Sequence, residues 1–334
     1  MINGYAAFEA RGELKPYSYE PKALADDEVE IAVTHCGIIR SDLHMIDNDW
    51  YRSSYPFIPG QEIVGHVTRK GSSVNHLNTG ERVALGWQSR SCHKCEQCLS
   101  GNENLCEFAE FTCMGRNGGF ADKVIADSAF VIRVPDGLAS EDAGPLMCSG
   151  ITVFAPLYLY GVKPGDKVGI VGIGGLGHFA IQFAARMGAE VTAISTSDSK
   201  REDAFKLGAS HFINSKEDPD FKAYSRHFDQ IVTTGSFDMN WEAVMLSLKP
   251  RGELWLEGGG SKPLNVMPYT VFHEGRKIAG TLIGPPKMLA EMLDFSAKHG
   301  IKSVGEIMPM KDVNKALQRM REDTVRYKIV LVNE

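Results

Sequence analysis

Val168-Gly169-Ile170-Val171-Gly172-Ile173-Gly174-Gly175-Leu176-Gly177-His178-Phe179-Ala180 decides the fold of this chain. Val168 to Val171 is a compact apolar run of strand length, and Phe179 to Met187 reads as a helix. Between them Gly172-Ile173-Gly174-Gly175-Leu176-Gly177 fits G-x-G-x-x-G. Gly172 permits a tight turn, Gly174 lets backbone approach a pyrophosphate, and Gly177 lets helix and strand pack closely. The helix N-terminus adds N–H donors and the positive end of a dipole. Alone the glycine pattern is weak evidence. Between strand and helix it is a dinucleotide fingerprint.

The same rhythm continues downstream. Val191 to Ile194 is the next strand and Lys200 to Leu207 the next helix. His211-Phe212-Ile213, Gln230-Ile231-Val232, Glu253 to Leu256 and Lys277 to Gly280 extend the series. Strands alternating with helices require right-handed parallel crossovers, hence a doubly wound sheet. After Gly284-Pro285-Pro286 a helix over Met288 to Lys298 leads to a last strand, Tyr327 to Val332, expected to return to the first domain. The second strand selects the cofactor. An NAD site usually ends it with an acid on the ribose 2′-hydroxyl. Here it runs into Ser195-Thr196-Ser197-Asp198-Ser199-Lys200-Arg201. Thr196 and Ser197, with the cations Lys200 and Arg201, suit a 2′-phosphate. Asp198 comes late in the turn but stays open as the ribose acid. A serine-rich loop capping the next helix is compatible with either. The expected cofactor is NADP(H).

Upstream, to about Cys148, the pattern changes to short alternating runs. Val29 to Val33, Ile63 to Val67, Arg82 to Leu85 and Phe130 to Val134 read as strands, punctuated by Gly71-Ser72-Ser73 and Asn78-Thr79-Gly80. This is a mostly antiparallel β domain. Within it Cys92, Cys95, Cys98 and Cys106 stand at C-x2-C-x2-C-x7-C. Four thiolates close a tetrahedral shell around Zn²⁺ and leave no position for water, which makes a structural site. Four ordinary thiols or two disulfides are the alternative, disfavoured by the paired C-x2-C spacing. The chain has 334 residues, 43% of them apolar, and a formal net charge of −6. That is room for two domains, with no basic stripe for nucleic acid or an anionic membrane. The start, Met1-Ile2-Asn3-Gly4-Tyr5, lacks a signal-peptide pattern, and no apolar run of membrane-spanning length is expected. Cytoplasmic residence is the expectation.

These residues together resemble the zinc-dependent alcohol dehydrogenases of the medium-chain dehydrogenase/reductase superfamily, in the cinnamyl-alcohol-dehydrogenase-like branch. The resemblance runs through Cys36-Gly37, Ser41-Asp42-Leu43-His44, Tyr55-Pro56, Pro59-Gly60 and the cysteine quartet. It continues through Gly118 to Ala121, Pro145 to Thr152, the glycine motif and the segment Asp323 to Tyr327. It implies an α/β protein with a GroES-like catalytic domain over residues 1–148 and 285–334. That domain would carry the zinc lobe at about 91–107, and residues 149–284 would form the inserted Rossmann domain. It also implies a homodimer acting on a small-molecule substrate.

The family's catalytic zinc does not carry over. Its ligands lie in C-G-x-C-H-x-D, in P-G-H-E and at a later cysteine; here those positions are Ile39, Gln61 and Cys148. Isoleucine offers no lone pair, and an amide oxygen is a poor Zn²⁺ ligand beside thiolate and imidazole. Cys36, Glu62 and Cys148 are the residues from which a rescued site would be built. Ser41 and His44 match the family's proton relay, and a histidine suits proton exchange at neutral pH. Asp42 matches the acid that orients the ligating histidine, and here it would accept from Gln61 instead. Arg40 would reach the cofactor pyrophosphate. Trp50, Tyr51 and Phe111 are candidate pocket walls or plain packing. Without the metal, hydride transfer still suits an iminium ion or an activated C=C, with donors such as Ser41 or Gln61 replacing the metal. The leading expectation is thus a zinc-independent NADPH reductase of C=C, C=N or aldehyde substrates. A rescued zinc alcohol dehydrogenase and a silent NADPH-binding protein are the alternatives.

Overall fold

Strand Glu28–Ile38 organises the first part of the structure, a computed structural model that describes residues 1–235, 238–258 and 263–333. Lys328–Val332 pairs antiparallel with its end, Ile329 opposite Ile38. Glu62–Lys70 takes the other edge, with Gly37 opposite Glu62, and Lys123–Asp127 pairs with its start. The whole is a seven-stranded mixed sheet that includes Gly305–Pro309, Arg82–Leu85 and Val131–Arg133. Ile31, Ile38, Ile63, Val67, Phe120, Ile329 and Leu331 fill its core. Gly37 is glycine for a steric reason: a Cβ there would meet Glu62 Oε2 at 2.2 Å.

The chain divides into two units, Met1–Ile151 with Gly284–Glu334, and Thr152–Ile283. Among the described residues, the second contains six parallel strands in the order His211–Asn214, Glu190–Ser195, Lys167–Val171, Phe228–Thr233, Leu248–Leu256, Lys277–Ala279. Near-continuous apolar runs suit strands buried on both faces. Val171 is level with Ile194 on one side and Thr233 on the other, and Thr233 with Leu256. Four carboxyl ends therefore form one flush edge. The order reverses at Lys167–Val171, the strand that feeds the glycine turn.

Two expectations need correction. Phe130 opens no strand: Ser128–Phe130 is a 3-10 turn, because the Asp127 side chain accepts from the Ala129 N–H at 3.0 Å and offers the backbone an alternative to the ladder. Second, the 21-residue helical stretch Ser140–Tyr160 is long and apolar enough to cross a membrane by length and composition. Its apolar character has another source, since 78% of that stretch's most apolar window is buried inside the protein, as a core helix requires. Pro145 interrupts it, and the next residues, Leu146–Gly150, form a fully buried π turn. Proline supplies no N–H to close a helical bond, so the bonding pattern shifts there.

Candidate functional site

Helix Arg40–Asp47 begins after Ile39. Isoleucine has no side-chain oxygen to cap it, but Asp42 in the third position reaches back and accepts the Ile39 N–H at 2.9 Å. Asp42 also accepts from Gly60 N at 3.2 Å and from Gln61 Nε2 at 3.3 Å. Gln61 donates its shorter bond, 2.7 Å, to Ser41 Oγ. Its Oε1 accepts from the Cys148 thiol at 3.8 Å. The amide of Gln61 therefore spends both donors and its acceptor inward. Burial pushes the Asp42 carboxyl up to about 7, against the pull of the Ile39 N–H and despite further help for its charge from Gln61 and Gly60. Burial likewise holds the Cys148 thiol well above its usual range, with Glu62 adding to the effect.

Glu62, next to Gln61, is committed elsewhere. Its Oε1 accepts from Ser149 N at 3.0 Å and Ser149 Oγ at 2.6 Å on the π turn. Its Oε2 pairs with Lys328 Nζ at 2.6 Å, and Lys328 donates to Ser149 Oγ at 3.0 Å. Both charged side chains are essentially excluded from solvent, Lys328 at 1% and Glu62 at 0%. The Ser149 hydrogen bonds to both partners offset part of the cost of burying the pair. Among the described residues, Cys92, Cys95, Cys98 and Cys106 form the one group of three or more Cys, His, Asp or Glu whose ligand atoms lie within 4.8 Å of one another. Cys36, Glu62 and Cys148 do not form such a group.

The expected relay residues occupy one helix face without touching. Ser41 bonds to Gln61, whereas His44 Nδ1 pairs with Asp49 Oδ2 at 2.8 Å and its ring lies 5.3 Å from Trp50. Trp50 meets Trp87 edge-on at 6.4 Å, and Trp87 leans on Phe111 at 5.3 Å. These aromatic rings form a continuous row from His44; Tyr51 stands 91% exposed outside it. Arg40 is exposed and pairs with Asp323. Arg40 and His44 border a shallow depression of about 270 Å³ with Asp47, Asp49 and Arg321. The sequence reading missed Trp87, Lys328 and Ser149. A buried lysine near the chain end carries no local pattern that would reveal it.

In the second unit the glycine turn is laid out for close backbone approach. Gly172 has φ +90°, a left-handed conformation. A Cβ on Gly177 would strike Gly172 O at 1.9 Å, whereas one on Gly174 would meet nothing within 4 Å. Gly175 and Leu176 complete the turn, and helix Gly177–Arg186 has no side-chain cap, although the His178, Phe179 and Ala180 N–H groups already donate to Gly174 O and Leu176 O. Lys200 Nζ donates to Ile173 O at 2.7 Å, which holds this cation at the rim of the turn. Ser197 Oγ lies 2.9 Å from Ser199 Oγ, and Thr196 is exposed beside it. Asp198 is engaged by Asn214 at 2.8 Å and by Arg201, which together pull its carboxyl below the usual range. Arg201 also covers the Phe212 ring at 4.4 Å. Asp198 and Arg201 thus satisfy each other. Thr196 and Ser197 stand exposed beside them.

The cysteine quartet has a different geometry. Cys92 Sγ lies 3.9 Å from Cys98 Sγ, and Cys95 Sγ lies 3.5 Å from Cys98 Sγ. Zn–S bonds of about 2.3 Å in a tetrahedron put sulfurs about 3.8 Å apart. Backbone N–H groups of Lys94 and Cys95 favour the Cys92 thiolate, lowering that thiol to about 6. His93 Nε2 anchors the lobe to Asp127 at 2.5 Å.

Comparison with known proteins agrees with this layout. The alcohol dehydrogenase GroES-like domain family matches residues 25–136. The zinc-binding dehydrogenase family matches residues 175–298. The aldehyde reductase AdhA of Synechocystis sp. is 41% identical over 99% of this chain and 98% of its own length. The 8-hydroxygeraniol dehydrogenase of Catharanthus roseus is 40% identical over 98% of this chain and 94% of its own. Among solved structures, a cinnamyl alcohol dehydrogenase of Sorghum bicolor superposes with a TM-score of 0.94 at 37% identity, covering 99% of this chain and 97% of that one. The Helicobacter pylori enzyme complexed with NADP(H) gives a TM-score of 0.89 at 30% identity, covering 99% and 97%.

Proposed function

Since the chain belongs to the zinc-dependent alcohol dehydrogenase family of medium-chain dehydrogenases/reductases, in its cinnamyl-alcohol-dehydrogenase-like branch, we propose that this alcohol-dehydrogenase-like oxidoreductase is an NADP(H)-dependent reductase working without a catalytic zinc. The observation that carries the reading is Gln61, held by Ser41, Asp42 and Cys148 where the family places a metal ligand. Isoleucine at position 39 and the pairing of Glu62 with Lys328 support it. The NADP(H) assignment rests on Thr196, Ser197 and Lys200, and on the NADP(H) named for the Helicobacter pylori relative.

Bound NADPH would supply the hydride. Gly172, Gly174 and Gly177, with the uncapped helix start, would hold its pyrophosphate. Ser41 is the electrophilic residue. Its oxygen accepts from Gln61, which leaves its own hydrogen to donate to a carbonyl oxygen or to the far oxygen of an enone as charge develops there. Gln61 cannot do this, since both of its amide hydrogens point to Ser41 and Asp42. Asp42 fixes Gln61, and Gln61 fixes Ser41. His44, paired with Asp49 near the surface, exchanges protons with solvent. The Trp50, Trp87 and Phe111 row supplies an apolar wall suited to an unsaturated or aromatic substrate.

A single experiment combines metal content with turnover. About one zinc per chain, in the quartet, is expected. NADPH consumption with an aldehyde, enone and cyclic iminium panel should then fall about a hundredfold in Ser41→Ala. Two zincs per chain would sink the reading in favour of a rescued metal site, and no consumption with any panel member would leave a binding protein. The exposed apolar side chains Met267, Tyr269 and Phe272 around helix Pro268–Phe272, with Ile278 on the edge strand Lys277–Ala279, support the homodimer that the family resemblance implies.

A further inference from the structure

Glu257 follows strand Leu248–Leu256 and takes no part in the chemistry above. Its backbone N–H reaches Thr233 O at 3.1 Å, which fixes it at the carboxyl edge of the parallel sheet. Next to it the strand ends close tightly: a Cβ on Gly258 would meet Gly235 at 2.3 Å. Both Glu257 carboxyl oxygens are shut away from solvent, and neither makes a hydrogen bond of good geometry. Burial pushes the carboxyl up to about 8, and only the Thr281 backbone N–H works in the other direction. Among the described residues, no side-chain charge on the adjoining strands relieves it. Asp229 is taken by Lys249, and Lys277 by Glu253. A buried carboxyl without partners is unfavourable and calls for an explanation.

Its position supplies one. A doubly wound sheet binds a dinucleotide outside its carboxyl ends, one half on each side of the strand at which the order reverses. The glycine turn marks that strand, Lys167–Val171, and Thr196, Ser197 and Lys200 follow the neighbour on the adenosine side. Glu257 lies beyond Phe228–Thr233, on the opposite side. That is the nicotinamide half. We propose that the Glu257 carboxylate is the counter-charge for the oxidised nicotinamide ring, so that this chain discriminates between the two oxidation states of its cofactor. The inference rests on the dinucleotide reading above.

The ring is cationic only after it has given up hydride. Ionised Glu257 therefore favours NADP⁺, while NADPH leaves the carboxyl protonated and neutral. When NADP⁺ binds at pH 7, the Glu257 O–H bond breaks and its proton goes to solvent; nothing is oxidised or reduced in that step. Hydride loss from bound NADPH draws off the same proton, which favours reduction of the substrate.

The test is isothermal titration of the full chain with NADP⁺ and with NADPH at pH 7, in two buffers of different ionisation enthalpy. The expected result is release of about 0.5 proton or more with NADP⁺ and almost none with NADPH. Glu257→Gln should abolish the release and weaken NADP⁺ about tenfold, while NADPH changes less than twofold. Binding of 2′,5′-ADP to the same variant should stay unchanged, which shows that the unit is folded. Equal proton release with both dinucleotides, or equal weakening of both, would overturn the proposal and leave the dinucleotide site standing. If the wild type binds neither dinucleotide, the site reading fails and this inference with it.

Discussion

The quartet Cys92, Cys95, Cys98 and Cys106 and the cluster Gln61, Asp42, Ser41 and Cys148 are two answers to one physical demand. Each gathers polar atoms that cannot be left unsatisfied. In the quartet a metal is the fitting partner, because four sulfurs within 4.8 Å of one another repel once ionised and hydrogen-bond weakly when they are not. In the second cluster every group already has a partner from the chain itself. Where the family resemblance puts a histidine, this chain has an amide that donates twice and accepts once. On the function proposed above, the difference teaches that a ligand set need not decay into a hole. It becomes a hydrogen-bonded plug that holds the serine in place.

Stripping the quartet should break the comparison most severely. A structural zinc supplies on the order of 10 kcal/mol of folding free energy in small zinc domains. Cys106→Ser should lose the zinc and expose residues 92–106 to hydrogen exchange, while strands of the parallel sheet keep their protection. Unchanged protection across the lobe would show that the quartet is not its organiser.

The reverse change should give the second cluster the character of the first. Ile39→Cys together with Gln61→His is expected to raise zinc from about one to about two per chain and aldehyde reduction by about a hundredfold or more, since a Lewis acid contributes several kcal/mol to carbonyl polarisation. The test reads metal content first. Unaltered zinc would mean that Ile39 and Gln61 do not stand where the ligands belong.

The smallest effect is one of pH. Asp42 and Glu257 bind protons more tightly folded than unfolded, at about 7 and about 8 against 3.8 and 4.5. Their contribution is therefore present below the unfolded values and is lost as pH rises through the folded ones. The ligand-free chain should lose about 1 to 3 kcal/mol of stability between pH 5 and pH 8. Asp198 and Glu306, whose carboxyls are lowered by Asn214 and Arg319, act below that window, whereas His35 and His227, lowered by burial, work against the fall within it. Denaturant midpoints at the two pH values give the sign, and a rise instead of a fall would contradict it.

Much of this was legible because it is local. Val168 to Gly177 carries strand, turn and helix start within ten residues, and C-x2-C-x2-C states its own chemistry. Arg82–Leu85 emerged with the expected bounds, and five of the parallel strands differ from the reading by one or two residues at either end. Leu248–Leu256 begins well before Glu253, because Pro250 and Gly252 disguise its first half as a turn. What escaped notice depends on distance in the chain. Lys328 looks like any lysine until Glu62 and Ser149 arrive from segments 266 and 179 residues away. The π turn owes its existence to Pro145 inside an otherwise helical run, a combination that reads as a helix end in sequence. Glu257 became interesting only when its surroundings proved to lack a partner.

Strand Glu28–Ile38 accepts its neighbour Lys328–Val332 across a gap of some 290 residues, Ile38 opposite Ile329. The parallel sheet draws all its strands from one uninterrupted stretch. During synthesis the parallel sheet can therefore complete itself while the mixed sheet still waits for its last strand. Until that strand docks, Glu62 is an unneutralised charge in a forming core and the edge of Glu28–Ile38 is open to foreign strands. Lys328 thus acts as a completion signal. The interior charge is cancelled only once the far end of the chain has come home.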